Sequence, residues 1–173
     1  MYLVSAYFDK ETNKKLQSYM QAIAKETGNT FMTENKVPPH MTISAIEAKN
    51  IEVLSPKFET LKGKIWTGKI KIVSIGQLLP YVFYATPVLN QYLEQLSGEV
   101  YNAFAEIEET RISKYYQPHS WLPHITLGKT LTPEQMREAF QVMQKMFAPM
   151  EATIVEIGLA KVNPHEDYSR IVL

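Results

Sequence analysis

The sequence predicts an α+β fold built from two copies of a β-α-β-α-β unit, forming two antiparallel sheets that face a central cleft with the helices outside. Three observations predict it. Pro39-His40-Met41-Thr42-Ile43 is echoed by Pro123-His124-Ile125-Thr126-Leu127, and Val73-Ser74-Ile75-Gly76 is echoed by Val155-Glu156-Ile157-Gly158 at nearly the same offset. Each half also opens with a run of β-formers followed by apolar residues at helical spacing. The expected organisation is a single domain over 1–173 with pseudo-twofold lobes of about 1–78 and 79–173.

Taken in order, Tyr2 to Phe8 reads as a strand. Thr12 to Thr27 carries Leu16, Tyr19, Met20 and Ile23 on one helical face, and Gly28 is placed to end that helix. The His40 segment is the second strand, Ser55-Pro56 caps a second helical stretch, and Lys69 to Ile75 is the third strand. The second half repeats this order. Tyr81 to Ala85 is its first strand, and Thr86-Pro87 is read as the cap of a helix bearing Leu89, Tyr92, Leu93, Leu96, Val100, Phe104 and Ile107. After the His124 strand, Thr132-Pro133 with Gln135 forms a capping box, ahead of the stripe Met136, Phe140, Met143, Phe147. Thr153 to Ala160 is the closing strand, and Tyr168 to Leu173 is left to pair across the halves.

Composition narrows the function. The 173 residues contain 18 Lys+Arg against 18 Asp+Glu and no cysteine. Disulfides, thiolate zinc and a cysteine nucleophile are therefore excluded. Balanced charge argues against a protein that coats long duplex nucleic acid, because such binding depends on many cations meeting phosphates. The apolar start is only seven residues long and runs into Asp9, Lys10 and Glu11, unlike a signal peptide, and no apolar run is long enough to span a bilayer. A cytoplasmic, monomeric protein with no membrane partner is the expectation.

The chemistry rests on the repeated motif. In a strand, residues i and i+2 share a face, so His40 stands beside Thr42, with Ser44 next along, and His124 beside Thr126, while Met41, Ile43, Ile125 and Leu127 point the other way. A pseudo-twofold axis brings the two polar faces to one site. Two imidazoles suit in-line attack on a phosphodiester: one takes the proton of the attacking water and the other protonates the departing oxygen. Both protonation states of His are populated near neutrality. The threonine hydroxyls can hold the non-bridging oxygens. Such a pair calls for no metal and no cofactor. One His-x-Thr alone is a weak signal, whereas two, each preceded by proline, flanked by apolar residues and set at equivalent places in a repeat, are a specific one.

With these residues in place the sequence resembles the 2H phosphoesterase superfamily, marked by two hydrophobic-flanked His-x-Thr/Ser motifs in a duplicated fold. It looks most like the 2'-5' RNA ligase and cyclic phosphodiesterase branch. Tyr116-Gln117-Pro118-His119-Ser120-Trp121-Leu122-Pro123-His124-Ile125-Thr126-Leu127-Gly128 is similar to the way that branch enters its second motif. The resemblance implies that His40 and His124 are the acid/base pair and that Thr42 and Thr126 are phosphate ligands. It also implies a hydrolase acting on 2',3'-cyclic phosphate, ADP-ribose cyclic phosphate, or 2'-5' linked nucleotide and RNA-end substrates, in the manner of RNA-processing enzymes. Many relatives carry an arginine shortly after the second motif, where this chain has Lys129. Lysine lacks the bidentate fork of arginine. A non-catalytic module that binds a nucleotide or an RNA end on the same fold is the alternative.

Other residues are weighed against plainer roles. Tyr115, Tyr116 and Trp121 precede the second motif on a loop and are candidate substrate contacts, able to stack a base, although packing of the loop is at least as good an account. His119 and His165 are not followed by a hydroxyl two residues on. Tyr7 and Tyr84 can line the cleft, with core packing the plainer role. Met136, Met143 and Met146 read as core filler.

Overall fold

The computed structural model describes residues 1–162 and 166–173; His165 lies outside the described residues. Among the described residues, eight strands and five helices follow in the order β1(Tyr2–Phe8), α1(Lys10–Thr27), α2(Phe31–Glu34), β2(Met41–Glu47), α3(Ser55–Glu59), β3(Gly68–Leu78), β4(Val82–Pro87), α4(Gln91–Phe104), β5(Arg111–Ile112), β6(Ile125–Gly128), α5(Pro133–Met146), β7(Met150–Lys161) and β8(Glu166–Val172). The strand pairings among them are antiparallel. No helix among the described residues is long and apolar enough to cross a membrane.

Local chemistry accounts for the helix ends. Asp9 caps α1 by accepting from the Thr12 backbone N–H at 2.9 Å, and Gly28 takes the left-handed conformation, φ 68°, that stops it. The capping box of α5 is complete: Thr132 Oγ1 accepts from Gln135 N, and the Gln135 side chain accepts from Thr132 N. Gln135 Nε2 also donates to the Thr27 carbonyl at 3.0 Å, which ties the start of α5 to the end of α1. Two expected caps are corrected. Ser55 is the first helical residue of α3, not its cap. Thr86-Pro87 ends β4, with Thr86 opposite Ser74 and Pro87 opposite Ile72. A residue preceding proline is pushed toward extended backbone, so the cap passes to Asn90, which accepts from Leu93 N at 2.9 Å. Leu89, expected on the buried helix face, is consequently 48% exposed.

The sheet order runs β1-β2-β6-β4-β3-β7-β8, and β7 also pairs with β1. Two antiparallel arms result: β5-β2-β1-β7-β8, and β6-β4-β3-β7. They share β7, whose residues 150–154 pair with β3 and whose residues 154–161 pair with β1. The arms meet again where Met41 pairs with Ile125. The terminal strand does not pair across the halves as expected; β8 pairs with β7 of its own half, and β3 crosses instead. Only Leu79, Pro80 and Tyr81 separate β3 from β4, and so short a connection forces the two into one hairpin. The arms in space thus do not divide at residue 78.

Helices cover the faces away from the motifs. α1 packs with α2 and α5 against β1, β6 and β7, while α4, with α3 beside it, packs against β2 and β3. Leu16, Tyr19, Met20, Ile23, Phe58, Leu93, Leu96, Val100, Phe104, Met136 and Met143 are all buried there. Met146, at the C-terminal end of α5, is 38% exposed and lies beyond the covered stripe.

Candidate active site

The centre of the site is a row of four paired residues across four strands: Ala6↔Met41 on β1 and β2, Met41↔Ile125 on β2 and β6, and Ile125↔Ala85 on β6 and β4. All four are fully buried. Side chains alternate along a strand, so the residues to either side of this row emerge on the opposite face. Continuing the registers by one residue gives two flanking rows. One is Tyr7, His40, Thr126 and Tyr84; the other is Ser5, Thr42, His124 and Thr86. Each imidazole therefore stands beside the threonine of the other motif. The two imidazoles are diagonal neighbours, a relation that spans roughly 7–8 Å in a regular ladder.

Both motifs end the same way. Thr42 pairs with Ser5 but Ser44 pairs with Val4, which leaves Ile43 as an extra residue on β2. Thr126 pairs with Tyr84 but Gly128 pairs with Phe83, which leaves Leu127 as an extra residue on β6. Such a bulge re-aims the chain and reverses the alternation beyond it. Ser44 therefore does not share the face of His40 and Thr42. It turns to the side of Val4, where its hydroxyl is buried without a partner among the described residues.

The imidazoles are oriented alike. His40 Nδ1 lies 2.8 Å from the Pro38 carbonyl and His124 Nδ1 lies 2.9 Å from the Leu122 carbonyl, each two residues upstream. A carbonyl only accepts, so Nδ1 carries the proton in both rings and Nε2 becomes the reactive nitrogen of the neutral form. Burial lowers the pKa of His124 below the ordinary imidazole value, against the smaller opposing effect of the Leu122 carbonyl. Burial thereby favours the neutral form of His124. Thr42 is buried and Thr126 half-buried.

Two tyrosines flank the histidines. The Tyr7 and His40 ring centroids are 6.2 Å apart, and Tyr84 meets His124 edge-on at 5.6 Å. They are not equivalent by symmetry, because Tyr7 lies across from His40 and Tyr84 across from Thr126. Two glycines of the repeat make room for them. A Cβ on Gly76 would lie 2.6 Å from the Tyr84 hydroxyl, and a Cβ on Gly158 would lie 3.0 Å from Tyr7 Cε2 and 2.8 Å from Arg170 Cδ. Burial raises the Tyr7 phenol to about 12, with the nearby Arg170 charge opposing.

Arg170 is the residue sequence reasoning missed. It projects from β8 across Gly158, so that its guanidinium carbon sits 3.7 Å from the Tyr7 ring centroid, and it pairs with Glu156 at 2.7 Å and Asp167 at 3.0 Å. Its place depends on β8, β7 and β1 lying side by side, which no local pattern in the sequence discloses.

The loop aromatics part company. Tyr115 is 68% exposed, with the Lys114 ammonium 5.2 Å from its ring centre. Tyr116 is half-buried and packs against the core, which raises its phenol pKa. Trp121, a candidate substrate contact for which packing is an equally good account, is 8% exposed in the core, and its indole N–H donates to the Thr42 carbonyl at 3.0 Å. Tryptophan hides a large apolar area once its single donor finds an acceptor, which is why this one goes inside. Lys129 extends over Phe31, 5.6 Å from the ring centre. His119 takes a positive φ of 64° and lines a cavity of about 80 Å³ with Leu89, Glu94, Ser97, Pro118 and Trp121. No cluster of three or more metal-ligating side chains occurs among the described residues.

A family model described as the 2'-5' RNA ligase superfamily matches residues 35–166, which includes both motifs. Among solved structures, E. coli LigT complexed with 3'-AMP superposes with a TM-score of 0.66 at 15% identity, covering 99% of this chain and 97% of that one. A structure described as a phosphoesterase gives 0.65 at 15% identity, with 99% and 97% covered. The protein TT0787 of Thermus thermophilus gives 0.61 at 16% identity, again with 99% and 97% covered. No curated protein matches the sequence.

Proposed function

Since the chain belongs to the 2'-5' RNA ligase superfamily, the group of the 2H phosphoesterases, we propose that it is a metal-independent phosphodiesterase in which His40 and His124 act as a paired acid and base. The observation that carries this reading is the Met41↔Ile125 register, which sets the two His-x-Thr segments side by side on one face. A phosphorus held between the threonine hydroxyls has one imidazole toward the attacking water and the other toward the departing oxygen. His124, whose neutral form burial favours, accepts the water proton at Nε2. His40 delivers a proton to the leaving oxygen as the bond to phosphorus breaks. Thr42 and Thr126 hold the non-bridging oxygens, so that the reacting atoms stay in line.

The substrate class is a cyclic phosphate, either 2',3'-cyclic or ADP-ribose cyclic, or a 2'-5' linked nucleotide or RNA end. That E. coli LigT forms complexes with 3'-AMP, ATP and NADP+ supports a nucleotide-sized ligand. The test is hydrolysis of 2',3'-cyclic nucleotides in EDTA by wild type, His40→Ala and His124→Ala. Loss of one acid/base partner is expected to lower kcat by about 10²–10⁴-fold. EDTA-sensitive turnover, or turnover indifferent to both substitutions, refutes the mechanism. Tight binding of the same nucleotides without product points to the non-catalytic module instead.

A further inference from the structure

We infer that Trp121 is a positioning residue for this site: by donating its indole N–H to the Thr42 carbonyl, it holds the β2 backbone at the bulge that follows Thr42 and so fixes where the Thr42 side chain stands. The inference rests on the proposed phosphoester chemistry and adds to it a residue outside the His-x-Thr motifs. The bond is buried, 3.0 Å long and joins residues 79 apart in the chain. It falls at the break in the β1–β2 register, where Thr42 still pairs with Ser5 and Ile43 is extra.

A bulge leaves a strand locally under-determined, because the extra residue has no partner in the ladder. On its other flank, β2 has a β6 partner at Met41↔Ile125. Beyond that point, the flank of β2 is met by the segment that leads into the second motif. Trp121 takes the Thr42 carbonyl, Ser113 N donates to the Ala45 carbonyl at 2.9 Å, and β5 pairs with Ile46 and Glu47. Trp121 itself lies three residues before His124. The indole therefore ties the chain entering one motif to the backbone of the other. Its rigid ring, packed in the core, fixes where that carbonyl lies. The second motif is held differently, by the Thr86 hydroxyl donating to the Pro123 carbonyl at 2.8 Å. The indole N–H bond itself reaches only the backbone of the first motif, so the effect of removing that N–H should couple to Thr42 and not to Thr126.

Trp121→Phe keeps a ring and removes the N–H, and is expected to lower kcat on a 2',3'-cyclic nucleotide by about 10- to 100-fold. A double-mutant cycle separates positioning from general destabilisation. On a Thr42→Val background, Trp121→Phe should cost little further; on a Thr126→Val background it should cost its full factor. The same cycle read by binding of inorganic phosphate requires no turnover. Wild type supplies a check that requires no variant: of the two tryptophan indole N–H resonances, added phosphate should move that of Trp121 and leave that of Trp66, 68% exposed, in place. An active chain in which Trp121→Phe costs the same with and without the Thr42 hydroxyl overturns this inference alone. An unmoved Trp121 resonance at saturating phosphate overturns it too. A wild type that neither turns over nor binds phosphate at the pair overturns the functional reading, and this inference with it.

Discussion

Gly76→Ala tests how closely Tyr84 is packed at the side of the site. The added Cβ would meet the Tyr84 hydroxyl at 2.6 Å, its Cζ at 2.7 Å and its Cε2 at 3.2 Å. Ordinary contact begins near 3.4 Å, so the phenol end of the ring must withdraw by about 0.8 Å. Tyr84 pairs with Gly76 and Thr126 through its backbone and meets His124 edge-on, so displacing its ring alters the contact with the imidazole. Overpacking of this kind costs about 1–3 kcal/mol, and loss of the aromatic contact adds about 0.5–1.5 kcal/mol. Denaturant unfolding measures the stability, and proton NMR follows the His124 titration. Gly76→Ala is expected to lower stability by that amount and to move the His124 pKa toward its ordinary value as the ring above it shifts. In a Tyr84→Ala background the same Gly76→Ala change should cost almost nothing. Equal costs with and without the Tyr84 ring would refute the close-approach account of this glycine.

Two further expectations concern protons and helix ends. His124 has a folded pKa below its unfolded value, so the native state binds fewer protons than the unfolded chain as pH falls through 6.5; stability is full above that pH and declines below it. Unfolding measured from pH 8 to pH 5 should therefore show a weaker acid decline in His124→Gln, and the acid limb of kcat/KM should lie below 6.5 in wild type. Gln135→Ala removes half of a capping box and the bond to the Thr27 carbonyl, and is expected to lower stability by about 1–2 kcal/mol with no change in kcat, as read by thermal unfolding beside a turnover assay.

The sequence by itself determined the order of seven of the strands and four of the helices, though not the short α2 and β5, together with the same-face pairs His40/Thr42 and His124/Thr126 and the cap of α5, because each depends on residues within a few positions of one another. Alternation sets a strand's face, and a capping box spans four residues. Family membership follows from the same local marks. Tertiary structure decided what depends on partners distant in the chain. A break in the β1–β2 register turned Ser44 away from the motif face, although its spacing from Thr42 suggested otherwise. The three-residue turn after Leu78 carried β3 into the other arm, and β8 brought Arg170 over Tyr7. Of the two roles open to Trp121, burial decided for packing, with a bond to the Thr42 carbonyl. Register, crossover and burial are properties of strands that meet from opposite ends of the polypeptide, and alternation along a single strand carries no information about the neighbour it will meet.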